Sequence, residues 1–389
     1  MNTDTWNEAY EKELIEFASS CVRARSYSDE EGELAVLLMV RMKELGFDDI
    51  KVDSAGNVAG RVGNGERILQ LDSHMDTVEV HDESLWEVPP FEGRISDGFL
   101  WGRGSVDMKS ALSASVYAAA WAKRCGYLEG KTVYVTGTVC EEYCDGENLK
   151  VLYSELDLKP DACIICEPSN NKIVLGHKGK AQVRITTHGV SAHGSAPEKG
   201  VNAVYEMAEI IRRVEALNQK LLSGPEPRGT IVLSDISSVS ASLNAVPEAC
   251  TIYLDRRLAF GESLDQVKRE MDSLIQGKNA VWEVGTLRRR SWNDAELVYE
   301  PMHQPWKIEP DHPLTKKLGR AYEEALGRAC GEYEFWDFGT NAVTPVGMGI
   351  PTIGFGPGDY KLAHMTNERC PVGQIIDAFK VYAKMIELF

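Results

Sequence analysis

The chain has 389 residues, a formal net charge of −17, 43% hydrophobic and 26% charged residues. That length predicts two domains rather than one core, and the acidic excess argues against a nucleic-acid partner, although bound divalent cations would soften it. No apolar run approaches the ~18 residues of a membrane span, and the polar N-terminus MNTDTWNEAYEKEL lacks the basic and apolar regions of a secretory signal, so a cytoplasmic protein without a membrane partner is expected.

Tyr10, Leu14, Phe17, Ala18 and Cys21 mark one face of a helix within the first ~25 residues. Ser28-Asp29-Glu30-Glu31 reads as a capping box and Gly46 as a stop, which predicts a second helix over Asp29 to Leu45. Two short strands are expected around Ser54-Ala55-Gly56-Asn57. A buried strand, Ile68 to Leu71, ends just before His74. Lys109 to Lys123, rich in Ala and Ser, predicts a helix, and Val133 to Val139 and Ala162 to Ile165 predict further buried strands. Strands alternating with helices indicate an α/β domain whose sheet is covered on both faces.

The pattern then changes. Strands are predicted at Ala181 to Thr187, Thr230 to Ser234, Ala249 to Leu254 and Val281 to Leu287, with helices at Asn202 to Leu217 and Ser263 to Ile275. This β-α-β-β-α-β order is that of a ferredoxin-like unit, and it predicts a smaller domain at 178–293 inserted into a discontinuous one, 1–177 and 294–389. The α/β pattern resumes with a helix over Leu314 to Leu326, a strand over Pro351 to Gly354 and a helix from Val372.

The nine cysteines are scattered, as reduced buried thiols would be. Cys140, Cys144, Cys163 and Cys166 have a spacing close to that of a structural zinc site. The strand-like run Asp161 to Cys166 works against it, since alternation sends Cys163 and Cys166 to opposite faces.

Five pieces carry the chemistry: His74-Met75-Asp76, Asp107, Glu141-Glu142, Glu167 and His364. Imidazole and carboxylate suit zinc, and carboxylate also suits a bridging position between two cations. Asp76 lies where its carboxylate could accept the second imidazole N–H of His74 and set the tautomer. Asp107 follows the turn Gly102-Arg103-Gly104 and alternatively reads as the cap of the helix behind it. Glu141 and Glu142 follow a strand-like run and read otherwise as a solvated acidic turn. Glu167 ends a buried strand, a costly position for an unpaired carboxylate.

The order of these pieces resembles the dinuclear zinc amidohydrolases that include acetylornithine deacetylase, succinyl-diaminopimelate desuccinylase, aminoacylase and carboxypeptidase G. The motifs are Ser73-His-Met-Asp-Thr77, Gly102-Arg-Gly-Ser-Val-Asp-Met-Lys109, Cys140-Glu-Glu142, Cys166-Glu-Pro168 and Ala363-His364, and the resemblance covers nearly the whole chain. It implies a zinc-peptidase-like mixed sheet sandwiched by helices, with the inserted unit as a lid and dimerisation domain. Asp107 would be the bridging ligand, His74 and Glu167 would complete one zinc, Glu142 and His364 the other, and Glu141 would be the general base. A cis peptide is expected after Asp107. His193, in Ser191-Ala-His193-Gly-Ser-Ala-Pro197, would hold the oxyanion, often across a dimer interface. Asn244, in Asn244-Ala-Val-Pro247, and Arg257 would bind a substrate carboxylate.

A surface salt bridge is the plainer reading of Arg257, and its neighbour Arg256 is expected to face solvent. His81, His177, His188, His303 and His312 receive no role. Trp86, Trp336 and Phe338 are candidates for the pocket wall, with core packing as their default.

The chain departs from the family pattern at Glu79, where a Pro is usual, at Ser110 and Ala111, where glycines are usual, and at Asn341, where Asp is common. Phrases such as Glu142-Tyr-Cys-Asp-Gly146 look most like a branch of selenium-metabolism-linked hydrolases. The reading is therefore a homodimeric hydrolase with two Zn²⁺ ions, or Co²⁺ or Mn²⁺ on the same ligands, that cleaves the amide bond of a small N-acyl amino acid. The alternatives are a dipeptidase or carboxypeptidase, and a catalytically inactive binding protein that keeps the fold.

Overall fold

The computed structural model describes residues 8–224 and 228–389. The first seven residues of the predicted N-terminal helix lie outside the described residues, and the helix runs over Glu8–Arg23. No helix among the described residues is long and apolar enough to cross a membrane.

The fold is mixed α/β. A nine-stranded sheet orders its strands Asp49–Val52, Val58–Gly63, Lys131–Thr138, Arg67–His74, Ala162–Ile165, Thr352–Gly354, Val174–His177 and Trp306–Lys307, with Glu334–Trp336 also paired to Val174–His177. Its centre is parallel. Lys131–Thr138, Arg67–His74, Ala162–Ile165 and Thr352–Gly354 all run the same way, in a register that sets His74 beside Thr138 and Ile165 beside both Asp72 and Gly354. Apolar strands of this kind need cover on both faces. The helices Glu8–Arg23, Gly32–Glu44, Lys109–Cys125, Pro313–Leu326 and Val372–Leu388 share one core with the strands. Four neighbouring parallel strands thus end on one rim, where open α/β sheets bind ligands.

A second sheet of five strands has the order Thr230–Val239, Ala249–Leu258, Gly179–His188, Ala280–Val284, with Met302–His303 also paired to Gly179–His188. The helices Ala203–Leu222 and Leu264–Ile275 cover one face, capped by Asn202 and Ser263. Val183, Ile185, Met207, Ile210, Ile252, Leu254, Val267 and Met271 form a separate hydrophobic core there. The predicted strand Val281 to Leu287 is two strands: it ends at Val284, and Leu287–Arg290 pairs with Glu296–Tyr299 instead.

Two local readings are corrected. The second helix begins at Gly32, and neither Ser28 nor its actual N-cap Glu31 caps it through a side chain. Ser28 Oγ donates instead to Asp76 Oδ2 at 2.6 Å. Arg256 does not face solvent. The strand Ala249–Leu258 alternates buried and half-buried residues along its whole length, which sends Arg256 to the helix-covered face. There Glu262 and Glu270 hold it, with Nε 3.0 Å from Glu270 Oε2 and Nη1 3.0 Å from Glu262 Oε2. Arg256→Met strands two carboxylates and is expected to cost about 3 kcal/mol in a urea melt, whereas a loss under about 0.5 kcal/mol would mean the pair is not structural.

His177 lies at the junction between the two sheets and is fully buried. Its Nδ1–H donates to the Lys178 carbonyl at 2.7 Å, and Nε2 has no hydrogen-bond partner. Burial is the main reason its pKa falls to about 4. Below pH ~6.5 the unfolded chain therefore takes up a proton that the folded one refuses, so this group removes stability as pH falls toward 4 and has no effect above ~6.5. Relative to a His177→Gln variant, the wild type should lose about 2 kcal/mol between pH 7 and pH 5 in urea titrations. A constant difference across that range would refute the buried neutral imidazole.

Candidate active site

The rim of the parallel strands gathers the five pieces. His74 is the last residue of its strand, and Glu141 and Glu142 open a one-turn helix just past Lys131–Thr138. Glu167 follows Ala162–Ile165, and His364 lies on the loop after Thr352–Gly354. Asp107 stands before the helix Lys109–Cys125 but does not cap it; Met108 is the N-cap and makes no side-chain bond. The Asp107–Met108 peptide is cis.

Side chains far apart in sequence meet here. His74 Nε2 is 2.8 Å from Asp107 Oδ1 and 3.6 Å from Glu167 Oε1. His364 Nε2 is 3.3 Å from Asp107 Oδ2 and 3.0 Å from Glu142 Oε2. Asp107 thus touches both histidines. Two groups have ligand atoms close enough to share an ion: His74 with Glu141 and Glu167, and His74 with Asp107 and Glu142. Glu141 reaches the first group, so the expected base and the expected ligands occupy one box. Neither group contains a cysteine, and Cys140, Cys144, Cys163 and Cys166 are buried free thiols.

Asp76 takes a different partner from the expected one. The backbone carbonyl of Asp76, not its carboxylate, lies 2.9 Å from His74 Nδ1; the nearer carboxylate oxygen is 3.6 Å away. The carboxylate instead accepts from the Glu141 and Glu142 backbone N–H groups, at 2.9 and 3.2 Å, and from Ser28. It therefore orients the start of the Glu141–Cys144 helix. A carbonyl can only accept, so Nδ1 carries the proton and the Nε2 lone pair of a neutral His74 points at Asp107.

Behind the rim, Glu368 accepts from the Val106 and Asp107 N–H groups at 2.8 and 3.1 Å and pairs with Arg103. Asn341 spans the same floor. Its Nδ2 donates to Asp72 and Thr138, both at 2.9 Å, and its Oδ1 accepts from Gly146 N–H at 2.9 Å. An aspartate there would supply no donors and would bring a second charge against Asp72.

The cluster's electrostatics call for cations. Burial first, then Glu167, pushes the Glu141 carboxyl well above the usual range, and burial followed by Asp107 does the same to Glu167. Burial and Asp107 raise Glu142 to about 7. Burial also works upward on Asp107, but the hydrogen bonds from His364 and His74 outweigh it and hold its carboxyl low. Burial works downward on His74, yet the bond to Asp107 and the nearby carboxylates keep it well above its ordinary value. Hydrogen bonds to Asp107 and Glu142 raise His364 to about 10.

Two observations test whether a metal pair fits. Glu141 Oε1 is buried without a hydrogen-bond partner, and the His74 lone pair faces a carboxylate. Both are unfavourable unless a cation or a proton lies between. Asp107, Glu141, Glu142 and Glu167 carry four negative charges when ionised, which two divalent cations match. The residues fit a dinuclear site of Zn²⁺ type, and two metals beside a spare carboxylate are a water-activating arrangement.

The cluster opens into a cavity of about 280 Å³ whose lining also includes Asp145, Pro168, Lys180, Arg257, Phe338 and Tyr360. Arg257 is thus where the sequence predicts, although its Nε and Nη2 already donate to Asp255 at 2.8 and 2.9 Å. His193 and Asn244 do not line the cavity of their own chain. Both are exposed, in two loops joined by the His193–Ala245 bridge. Of the aromatic candidates, Phe338 lines the cavity. Trp336 is buried in the core with its Nε1–H on the Pro168 carbonyl, and Trp86 stacks on Arg103. Lys180 and Asp145 are additions. Their signal was a lysine at the start of a strand and an aspartate just past the Glu141-Glu142 pair, neither distinctive alone.

This α/β sheet with a two-metal carboxylate–imidazole rim defines a metal-dependent hydrolase. The sequence profile of Peptidase family M20/M25/M40 matches residues 70–388, and the chain belongs to that family. It is 34% identical over 380 residues to the Escherichia coli (strain K12) protein named "Uncharacterized protein YgeY", covering 96% of this chain and 94% of that one. It is 28% identical to the acetylornithine deacetylase of Vibrio parahaemolyticus, over 95% of this chain and 94% of that protein. Among solved structures, the aminopeptidase PepT of Bacillus cereus superposes with a TM-score of 0.72 at 23% identity, over 97% of this chain and 98% of that one. The M20 metallo-carboxypeptidase Sso-CP2 of Sulfolobus solfataricus gives 0.74 at 18%, over 98% and 99%.

Proposed function

We propose that the protein hydrolyses the amide bond of a small N-acyl amino acid. The observation that carries this reading is Glu141: buried, with one carboxylate oxygen unpartnered, at the metal end of a cavity whose wall includes the guanidinium of Arg257. Asp107 would be shared by the two cations, with His74 and Glu167 holding one and Glu142 and His364 the other. Once bound, such cations polarise the scissile carbonyl and make a water acidic enough to attack at neutral pH. Glu141 Oε1 takes the proton from the attacking water and returns it to the leaving nitrogen. Asp76 orients Glu141 through its backbone. Arg257 anchors the substrate carboxylate through the guanidinium edge that Asp255 leaves open.

Residues 178–293 act as a lid and dimerisation domain. Leu243, beside Asn244 in sequence, and Val232, Ile236 and Val239 along the edge strand are exposed apolar residues, and Val232 and Val239 share the face away from the helices, a surface suited to a second copy. In such a homodimer His193 and Asn244 serve the partner's cavity, where His193 stabilises the oxyanion and Asn244 assists Arg257. The deacetylase relatives favour an acyl amino acid over a peptide. The selenium-linked subgroup rests on sequence phrases alone.

A panel of N-acetyl, N-succinyl and N-carbamoyl amino acids and dipeptides, assayed with added zinc, tests the reading. Cleavage concentrated on one acyl class is expected. Cleavage of dipeptides alone would replace the deacylase with a peptidase, and no cleavage of any kind would favour a binding protein.

A further inference from the structure

Lys180 is the one lysine in the cavity lining. It belongs to the strand Gly179–His188, whose alternation buries Gly179, Ala181 and Val183 and turns Lys180 to the other face. The neighbouring strand Ala249–Leu258 runs antiparallel, and its register places Arg257 directly opposite Lys180. Both side chains reach the same cavity. Cations directly opposite across an antiparallel pair repel, so the arrangement needs compensating charge.

Each cation has a carboxylate of its own, from a different place. Asp255, two residues before Arg257 on the same strand, takes two of its N–H groups. Lys180 Nζ lies 2.6 Å from Asp145 Oδ2, which also accepts from the Tyr299 hydroxyl at 3.0 Å. Asp145 is on the main-sheet side, just past the Glu141–Cys144 helix. Burial works upward on its carboxyl, but Lys180, His303 and Tyr299 outweigh this and keep it below the usual range. Gly339 lets the chain pass closely, since a Cβ there would meet Asp145 Oδ2 at 2.6 Å.

An ammonium has three hydrogens to donate. Among the described residues, Asp145 is the carboxylate that Lys180 pairs with, and only 12% of its side chain remains exposed. Its ammonium also lies 5.6 Å from the centroid of the Tyr299 ring, and the residue lines the cavity, so donor capacity beyond the Asp145 bond remains at the cavity wall. Arg257 likewise keeps its outer edge.

We propose that Lys180 is a second carboxylate-binding cation of this site. One carboxylate, shared between Lys180 and Arg257, offers an oxygen to each and relieves their mutual repulsion. This rests on the amidohydrolase reading and sharpens its substrate class. The preferred substrate carries a free carboxylate on the side of the amide away from the metal cluster, and its carboxamide or ester counterpart is a poor one. Asp145 is a positioning residue that keeps the Lys180 ammonium at the wall.

The test compares the best N-acyl amino acid of the panel with its carboxamide. In Lys180→Met, KM for the acid should rise about 10- to 100-fold, the range of a lost charge-assisted hydrogen bond, with kcat changed less than about threefold. The carboxamide should show no such rise, and Lys180→Arg should restore most of the acid's KM. Because Lys180→Met leaves Asp145 without its counter-ion, Asp145→Asn/Lys180→Met is measured alongside, with the same split expected. An unchanged KM, or equal losses on acid and carboxamide, overturns the proposal. If the wild type cleaves no acyl amino acid, the amidohydrolase reading fails by itself. Calorimetric binding of N-acetylmethionine against its carboxamide then decides Lys180: acid binding weakened in the variant supports it, and no difference overturns it.

Discussion

Replacing Glu141 with Ala is expected to leave both metals bound and to lower kcat by about 10²- to 10⁴-fold, the span of a lost general acid–base catalyst. The retained metal follows from geometry. His74, Asp107, Glu142 and His364 hold one another within 2.8 to 3.3 Å without help from Glu141. The lost turnover follows from Oε1, which is buried and unpartnered on a residue that lines the cavity. Deleting it removes a proton acceptor that the neighbouring carboxylates would not replace if, as proposed, Asp107, Glu142 and Glu167 hold the metals. Metal content by elemental analysis and kcat on the best panel substrate check both halves. Unchanged activity would end the role given to Glu141. Loss of metal together with activity would make it a ligand, as its place beside His74 and Glu167 also permits.

Asp107→Ala has the other large effect. Among the described residues its carboxylate alone pairs with both His74 and His364, so its loss would open both metal sets at once. Removing a partner behind a metal ligand typically weakens binding 10- to 100-fold, and removing a bridging ligand costs more than about 100-fold. Bound zinc should fall from two per chain to below one, and turnover should reach background. His364→Ala should lose mainly one metal. The fold should survive, because Glu368 holds the backbone N–H of this loop rather than its side chain. A variant that keeps two tightly bound metals would exclude Asp107 as the bridge.

The parts of the fold that were readable from sequence share one property: each is settled within a few residues. Ala162–Ile165 is a strand because four apolar residues end at a turn, and the Lys109–Cys125 helix follows from an Ala-rich run closed by Gly126 in the left-handed region. The misread places depend on distant partners. Ser28 resembles a cap, whose oxygen would accept from the N–H groups of a helix start, but its hydroxyl instead donates to the Asp76 carboxylate that follows the strand Arg67–His74. By sequence, Arg256 beside Arg257 is available to solvent, and the predicted strand reaches only Leu254. In the structure it continues to Leu258, and alternation carries Arg256 inward to Glu262 and Glu270.

The chemistry is legible in the chain alone: which residues can ligate metal, their order, and that each stands where an apolar run ends or beside a Gly-rich turn. Ligand type and strand ends are local properties, so a single chain displays them. Only the tertiary structure decided how they are used. The parallel register puts four strand ends on one rim, the Asp76 carbonyl rather than its carboxylate sets the His74 tautomer, and the pairing of Gly179–His188 with Ala249–Leu258 brings Lys180 beside Arg257. Strand order and register arise from long-range burial, which leaves no mark on any short stretch of sequence.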